Sequence, residues 1–183
     1  MPGMTSPTAD HSVRVAWAAD AEAIAELQRQ AWQTAYADLL PADAVTLDPD
    51  ATAQAWRAAF ASPGDARNRV LVALDRNRVV GYAVLSPAAD PDSDPVADAE
   101  VQELTVAEGE RGQGHGSRLL HAVVDTLRAD GFTRAVVWTL ATDDDLRRFL
   151  TEAGWAPDSA HRELDLDGTG TTTVKQVRLH TAL

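Results

Sequence analysis

The sequence predicts a single α+β domain: a central, mostly antiparallel sheet with one parallel pair of strands and helices on both faces. Three observations carry this expectation. Apolar residues alternate with period two over 70–74 and 79–85, around a tight turn at 75–78. They recur at helical spacing in segments before and after those strands. One such helix separates the strand at 99–106 from the strand at 134–139, and strands joined by a helical crossover run parallel, usually as neighbours.

Residues 1–12 read as a flexible, polar tail, and 13–183 as one domain. A short strand at 13–17 leads to Asp20, a candidate cap for the first helix, whose Ile24, Leu27, Ala31 and Tyr36 lie on one face. Pro41 ends that helix, and Pro49 opens the next, which runs to about residue 61. The segment 86–98 holds three prolines and four aspartates and is a loop. A helix follows to about residue 130, stopped by Gly131. The strand at 134–139, a short helix at 143–153 and a hairpin of 161–166 with 172–179 complete the chain.

Composition narrows the function. The chain has 183 residues, no cysteine, and 28 acidic against 16 basic residues for a net charge of −12. Without cysteine there is no disulfide, thiolate metal site or thiol nucleophile. The charge argues against a nucleic-acid partner, since phosphate contacts need clustered Lys and Arg. An acidic surface favours a cationic substrate such as an amine. No apolar run approaches membrane-spanning length and the first residues lack a signal-peptide core, so a cytoplasmic protein without membrane attachment is expected. The histidines, including His11, His121 and His161, show no metal-ligand spacing, and no metal is expected.

The most informative segment is Arg111-Gly-Gln-Gly-His-Gly116, placed where a strand becomes a helix bearing Leu119, Leu120, Val123, Val124 and Leu127. The first N–H groups of a helix lack internal partners, and the helix dipole makes that end effectively positive. A glycine-rich loop there is a phosphate cradle. Gly112-x-Gly114-x-x-Ser117 falls short of a dinucleotide fingerprint, because the last position is serine and no second βαβ unit follows. A nucleotide P-loop needs a Gly-Lys pair, and the only lysine is Lys175.

Arg111-x-x-Gly114-x-Gly116 resembles the (Gln/Arg)-x-x-Gly-x-(Gly/Ala) signature of the GNAT superfamily of acyl-CoA-dependent N-acetyltransferases. Glu100-x-x-x-Leu104-x-Val106 resembles that family's fourth strand. Arg147-Arg-Phe-Leu-Thr-Glu-Ala-Gly-Trp155 resembles its late helix, and Trp32-x-x-Ala35-Tyr36-x-x-Leu39-Leu40-Pro41 a pattern of one subgroup. The resemblance runs from Val13 through nearly the whole chain. It implies the GNAT fold, with acetyl-CoA as co-substrate in a gap where the fourth and fifth strands splay apart.

Carried over residue by residue, the resemblance puts the pyrophosphate on the N–H groups of Gly112, Gln113, Gly114, His115, Gly116 and Ser117, with Arg111 beside it. The backbones of Leu104 and Val106 take the pantetheine arm, and the N–H of Val106 faces the thioester oxygen. Glu100, eleven residues before Arg111, matches the position of the base in many members and is preferred. Glu103 points to the other strand face and reaches the substrate only if the strand bulges. Trp32 and Tyr36 line the acceptor pocket, or pack in the core. Trp138 and Trp155 are core residues.

Two positions depart from the pattern. The tyrosine that often protonates the departing thiolate is Leu150 here, and the asparagine that often begins the late helix is Asp143. Asp143 is expected to cap that helix, within reach of the pantetheine. The acceptor is expected to be the primary amine of a small molecule or a protein, the assembly a homodimer through the C-terminal strands. A catalytically silent acyl-CoA-binding module is the rival reading.

Overall fold

A computed structural model describes residues 10–183. In chain order the elements are β1 (His11–Val15), α1 (Ala21–Tyr36), α2 (Ala42–Val45), α3 (Pro49–Ala61), β2 (Arg69–Asp75) and β3 (Arg78–Pro87). They continue with β4 (Asp98–Val106), α4 (His115–Ala129), β5 (Arg134–Leu140), α5 (Asp144–Glu152), β6 (Ala156–Asp165) and β7 (Thr173–Ala182). The seven strands form one sheet in the order β1-β2-β3-β4-β5-β7-β6, antiparallel except for the β4–β5 pair.

Helices cover both faces, as expected. On one, Leu119, Leu120, Val123 and Leu127 of α4 and Leu150 of α5 pack on Ala83, Val101, Val137 and Leu179. On the other, Ile24 and Leu27 of α1, with Trp56 and Phe60 of α3, cover Val72, Leu74 and Tyr82. Farther along α1, Tyr36 and Leu40 join Val45 of α2 against Leu140, Leu166 and Val174. Burial of such side chains contributes roughly 1.5–3 kcal/mol each.

Several boundaries differ from the sequence reading. The proposed tail lies mostly outside the described residues, but His11 and Ser12 belong to β1, because β2 extends to Asp75 and pairs with them. Asp20 does not cap α1. Its carboxylate takes the Trp17 N–H at 2.6 Å and both ends of the Arg14 guanidinium at 2.7 and 3.0 Å. A local turn and a bidentate charge partner together outcompete the cap. β6 starts five residues early; Ser159 at φ 72° breaks its alternation beside Pro157 and hides it in the sequence.

Two irregularities shape the middle of the sheet. Parallel pairing runs from Asp98↔Arg134 to Val101↔Val137 and stops there, so the C-terminal parts of β4 and β5 part company. On its other side β4 carries a bulge: Val84 pairs with Glu103 and Leu85 with Val101, leaving Gln102 extra. Side chains alternate along a strand, so one extra residue brings Glu100 and Glu103 onto the same face.

The 88–97 segment is tied over this face by Arg178, which is 4 % exposed. Arg178 donates to Asp90 at 3.1 Å, Asp92 at 2.8 and 2.6 Å, and Asp158 at 2.7 Å. Trp138 Nε1 also donates to Asp90, at 3.0 Å. Removing one partner of a buried ion cluster strands the others, so Arg178→Met should destabilise the fold by about 3–5 kcal/mol in urea unfolding. Hydrogen bonds from Arg178 hold the Asp92 carboxyl at about 2, below the ordinary range. Its contribution is present above pH 4 and lost as pH falls toward 2, and the variant should lack that acid-limb loss.

Candidate active site

The site assembles where β4 and β5 separate. The Ala107 N–H donates to Val80 O at 2.8 Å, which fixes the alternation of the β3–β4 ladder. Ala107, Thr105 and Glu103 therefore bond toward β3. Leu104 and Val106 turn their N–H and C=O groups the other way, into the gap left by β5. The Nε of Arg111 already donates to Val106 O, at 3.3 Å. A strand edge of this kind accepts another extended chain.

The glycine loop lies at the C-terminal end of that edge. Gly112 and Gly114 have φ of 76° and 85°, a region costly for other residues, and α4 begins immediately after. The first intrahelical bond runs from Arg118 N to Gly114 O at 3.1 Å, so the N–H groups of His115, Gly116 and Ser117 precede it. Gly116 packs against Phe149 of α5, where a Cβ would come within 3.4 Å of the ring. Gln113 leans back on Gly109 O and Glu110, at 3.5 and 3.4 Å.

His115 opens α4 with its side chain turned into the protein. It is 1 % exposed and tilts against the His11 ring, with centroids 4.4 Å apart. Burial lowers its pKa, so the ring stays neutral. Only its backbone is available to a ligand in the loop.

Arg118 was not singled out by sequence reasoning. Its guanidinium lies over the loop, with Nη1 at 3.5 Å from Gln113 O. An arginine in the first turn opposes the helix dipole. That mismatch is a readable signal for an anion at the same place.

On the other face stand the two glutamates. Glu103 accepts from the Tyr82 hydroxyl and, at 3.4 Å, from Gln28 Nε2; Gln28 Oε1 in turn takes the Trp56 indole N–H at 3.0 Å. Burial raises the Glu103 pKa, and the Tyr82 and Gln28 hydrogen bonds oppose that rise. Glu100 accepts no hydrogen bond among the described residues. Burial and the charge of Asp90 raise its pKa, while Arg162 and Arg178 pull it down. Tyr82 and Gln28 were missed because their pairing with Glu103 joins three elements distant in sequence. The one available signal was a phenol within an otherwise apolar strand, which needs a partner when buried.

Gln28, Trp32 and Tyr36 form one stripe of α1, at i, i+4 and i+8. The stripe starts at Glu103 of β4, and its Tyr36 belongs to the cluster that Leu140 of β5 packs against. Trp32 and Tyr36 meet edge-on, ring centroids 4.5 Å apart. Burial, then the nearby Glu103 charge, raises the Tyr36 pKa and keeps the phenol neutral. Asp143 caps α5, accepting from Leu146 N at 3.0 Å. Leu150 is 1 % exposed, sealed in the α4 core.

A cavity of about 680 Å³ lies elsewhere, between α5 and the β6–β7 hairpin beside Arg147, Arg148, His161 and Lys175. The gap is marked by its chemistry: an unpaired strand edge, the glycine loop and two half-buried carboxylates. Among the described residues no group of His, Asp or Glu is arranged to hold a metal, and no helix is long and apolar enough to cross a membrane.

The chain belongs to the Acetyltransferase (GNAT) family, whose pattern it matches over residues 21–155. No curated protein matches it. The fold is shared with solved structures of low identity. The putative acetyltransferase yncA of Salmonella typhimurium, solved with acetyl-CoA, superposes with a TM-score of 0.70 at 21 % identity, covering 95 % of this chain and 94 % of that one. A ribosomal-protein-alanine N-acetyltransferase from Brucella melitensis gives 0.72 at 20 %, covering 94 % and 99 %. The paia N-acetyltransferase of Thermoplasma acidophilum, solved with coenzyme A, gives 0.67 at 14 %, covering 94 % and 99 %.

If Tyr82 holds the Glu103 carboxylate down against burial, Tyr82→Phe should raise the Glu103 pKa further. A carbon-13 NMR titration of the glutamate carboxyls measures this; an unmoved Glu103 would show the contact to be electrostatically silent.

Proposed function

We propose that the protein transfers an acetyl group from acetyl-CoA directly to a primary amine. The observation that carries this reading is the unpaired edge of β4 running into the free N–H groups at the start of α4. The residues present fit the co-substrate: a phosphate-sized loop whose glycines leave room at the helix start, Arg111 and Arg118 for the diphosphate, and an open strand edge for the amide-bearing pantetheine arm.

Glu100 is the group that takes the proton from the amine, directly or through one water. Its lone pairs are uncommitted, and its raised pKa brings it toward the working range of a general base. Glu103, pinned by Tyr82 and Gln28, supplies a fixed negative charge that holds the incoming ammonium on this face. The N–H of Val106 donates to the thioester oxygen as it gains charge, a contact typically worth about 3 kcal/mol of barrier. With Leu150 buried, the departing thiolate takes its proton from solvent. Trp32 and Tyr36 close the acceptor side. The reaction balances as amine plus thioester to amide plus thiol.

The sealed Leu150 also favours a second reading, a silent acyl-CoA sensor. Glu100→Gln separates the two. An enzyme should lose about 10²–10⁴-fold in kcat while its heat of coenzyme A binding stays unchanged, whereas a sensor has no turnover to lose. In the enzyme, kcat/KM should fall with decreasing pH at a midpoint above that of an ordinary glutamate, because the base form is lost below the raised pKa. At the loop, Gly114→Val forces φ 85° on a branched residue and drives its Cβ to within 2.8 Å of Arg118. Coenzyme A affinity by calorimetry should drop by on the order of tenfold or more.

A further inference from the structure

Arg162 on β6 has donors to spare on the face that carries Glu100. Its guanidinium lies 4.2 Å from the centroid of the Trp138 ring, and its Nε donates to Gln176 at 2.7 Å. Asp90 forms an ion pair with it, Oδ1 standing 3.7 Å from Nη1, longer than a hydrogen bond, while Oδ2 of the same carboxylate is held by Arg178 and the Trp138 indole. The Nη groups of Arg162 have no hydrogen-bond acceptor among the described residues. The side chain is 41 % exposed. Arg178 is its opposite: 5 % exposed in its side chain, with all three nitrogens engaged by carboxylates.

Position adds to this. Trp138 and Leu140 lie on the separating end of β5, next to the gap, and pair with Arg178 and Gln176. Arg162 pairs with Gln176, so its guanidinium reaches back across β7 to rest on Trp138. Its charge is felt at Glu100. A guanidinium stacked on an aromatic ring, with one nitrogen fixed and the others open, is a pre-oriented fork for a carboxylate.

We infer that Arg162 anchors an anionic group of the acceptor, and that the acceptor is a small amine carrying a carboxylate, as a free α-amino acid does. The amine meets Glu100 and the carboxylate meets the Arg162 fork. The inference rests on the acyl-transfer reading above. It places outside the class both simple alkylamines, which lack the anion, and protein N-termini, whose carboxylate is consumed in the next peptide bond.

The test uses the full chain, acetyl-CoA and free-thiol release, with acceptors in matched sets: each amino acid, its α-carboxamide and its decarboxylated amine. The free acids should exceed the other two in kcat/KM by about 10- to 100-fold, the worth of a charged hydrogen-bonded contact. Arg162→Gln should raise KM for the acids by a similar factor, leaving coenzyme A affinity and KM for the carboxamides unchanged; a change in kcat through the Glu100 pKa would be shared by all acceptors. Arg162→Lys should recover only part, having no fork. Carboxamides or plain amines performing as well as the acids would overturn the inference while leaving acyl transfer intact, as would an Arg162→Gln rise in KM equal for all acceptors. Heat of coenzyme A binding with no thiol release from any set would overturn the acyl-transfer reading and this inference with it.

Discussion

The whole site depends on where two parallel strands stop pairing. Backbone N–H and C=O groups inside a protein are almost always satisfied, and a sheet normally satisfies them strand by strand. Between β4 and β5 that ends at Val101 and Val137. Beyond this point Leu104 and Val106 offer their polar groups to a cleft, with only the Arg111 side chain drawn in at the Val106 carbonyl. Here α4 and α5 pack against one face of the sheet, and on the other the Gln28–Trp32–Tyr36 stripe of α1 runs from Glu103 to the cluster that Leu140 packs against. In the proposed function an extended ligand would complete the sheet there, and the free helix start at the end of the same edge would receive its charged terminus.

Charge is distributed to match. The chain is strongly acidic, net −12, yet a few arginines stand at the glycine loop and on the Glu100 face. Arg111 and Arg118 flank the loop, Arg178 ties three aspartates together, and the Nη groups of Arg162 have no hydrogen-bond acceptor among the described residues. Glu100 and Glu103, set on one face by the Gln102 bulge, are half-buried and form no ion pair among the described residues. Burial raises the pKa of both, by the same physics that makes an uncompensated carboxylate reactive toward a proton.

Much of this was legible in the sequence because it is local. Strand alternation, the Pro49 helix start, the Asp143 cap and the glycine loop depend on neighbours within a few residues, and the structure places each where the pattern puts it. The parallel pair followed from a single crossover helix. What escaped was non-local. The β4 bulge is defined only against β3, so no reading of β4 alone shows Glu100 and Glu103 sharing a face. The Tyr82–Glu103–Gln28 contact joins β3, β4 and α1. His115 turns inward because β1 supplies His11 for it to pack on, more than a hundred residues earlier in the chain. Asp20 had two local options, and Arg14 decided between them.

Amide hydrogen exchange with and without acetyl-CoA tests the central claim most directly. Added ligand should slow exchange at Leu104 and Val106 and through Gly112–Ser117, while the β6–β7 hairpin is unaffected. Unchanged exchange along that edge and loop, or slowing centred instead on the groove between α5 and β6–β7, would contradict it.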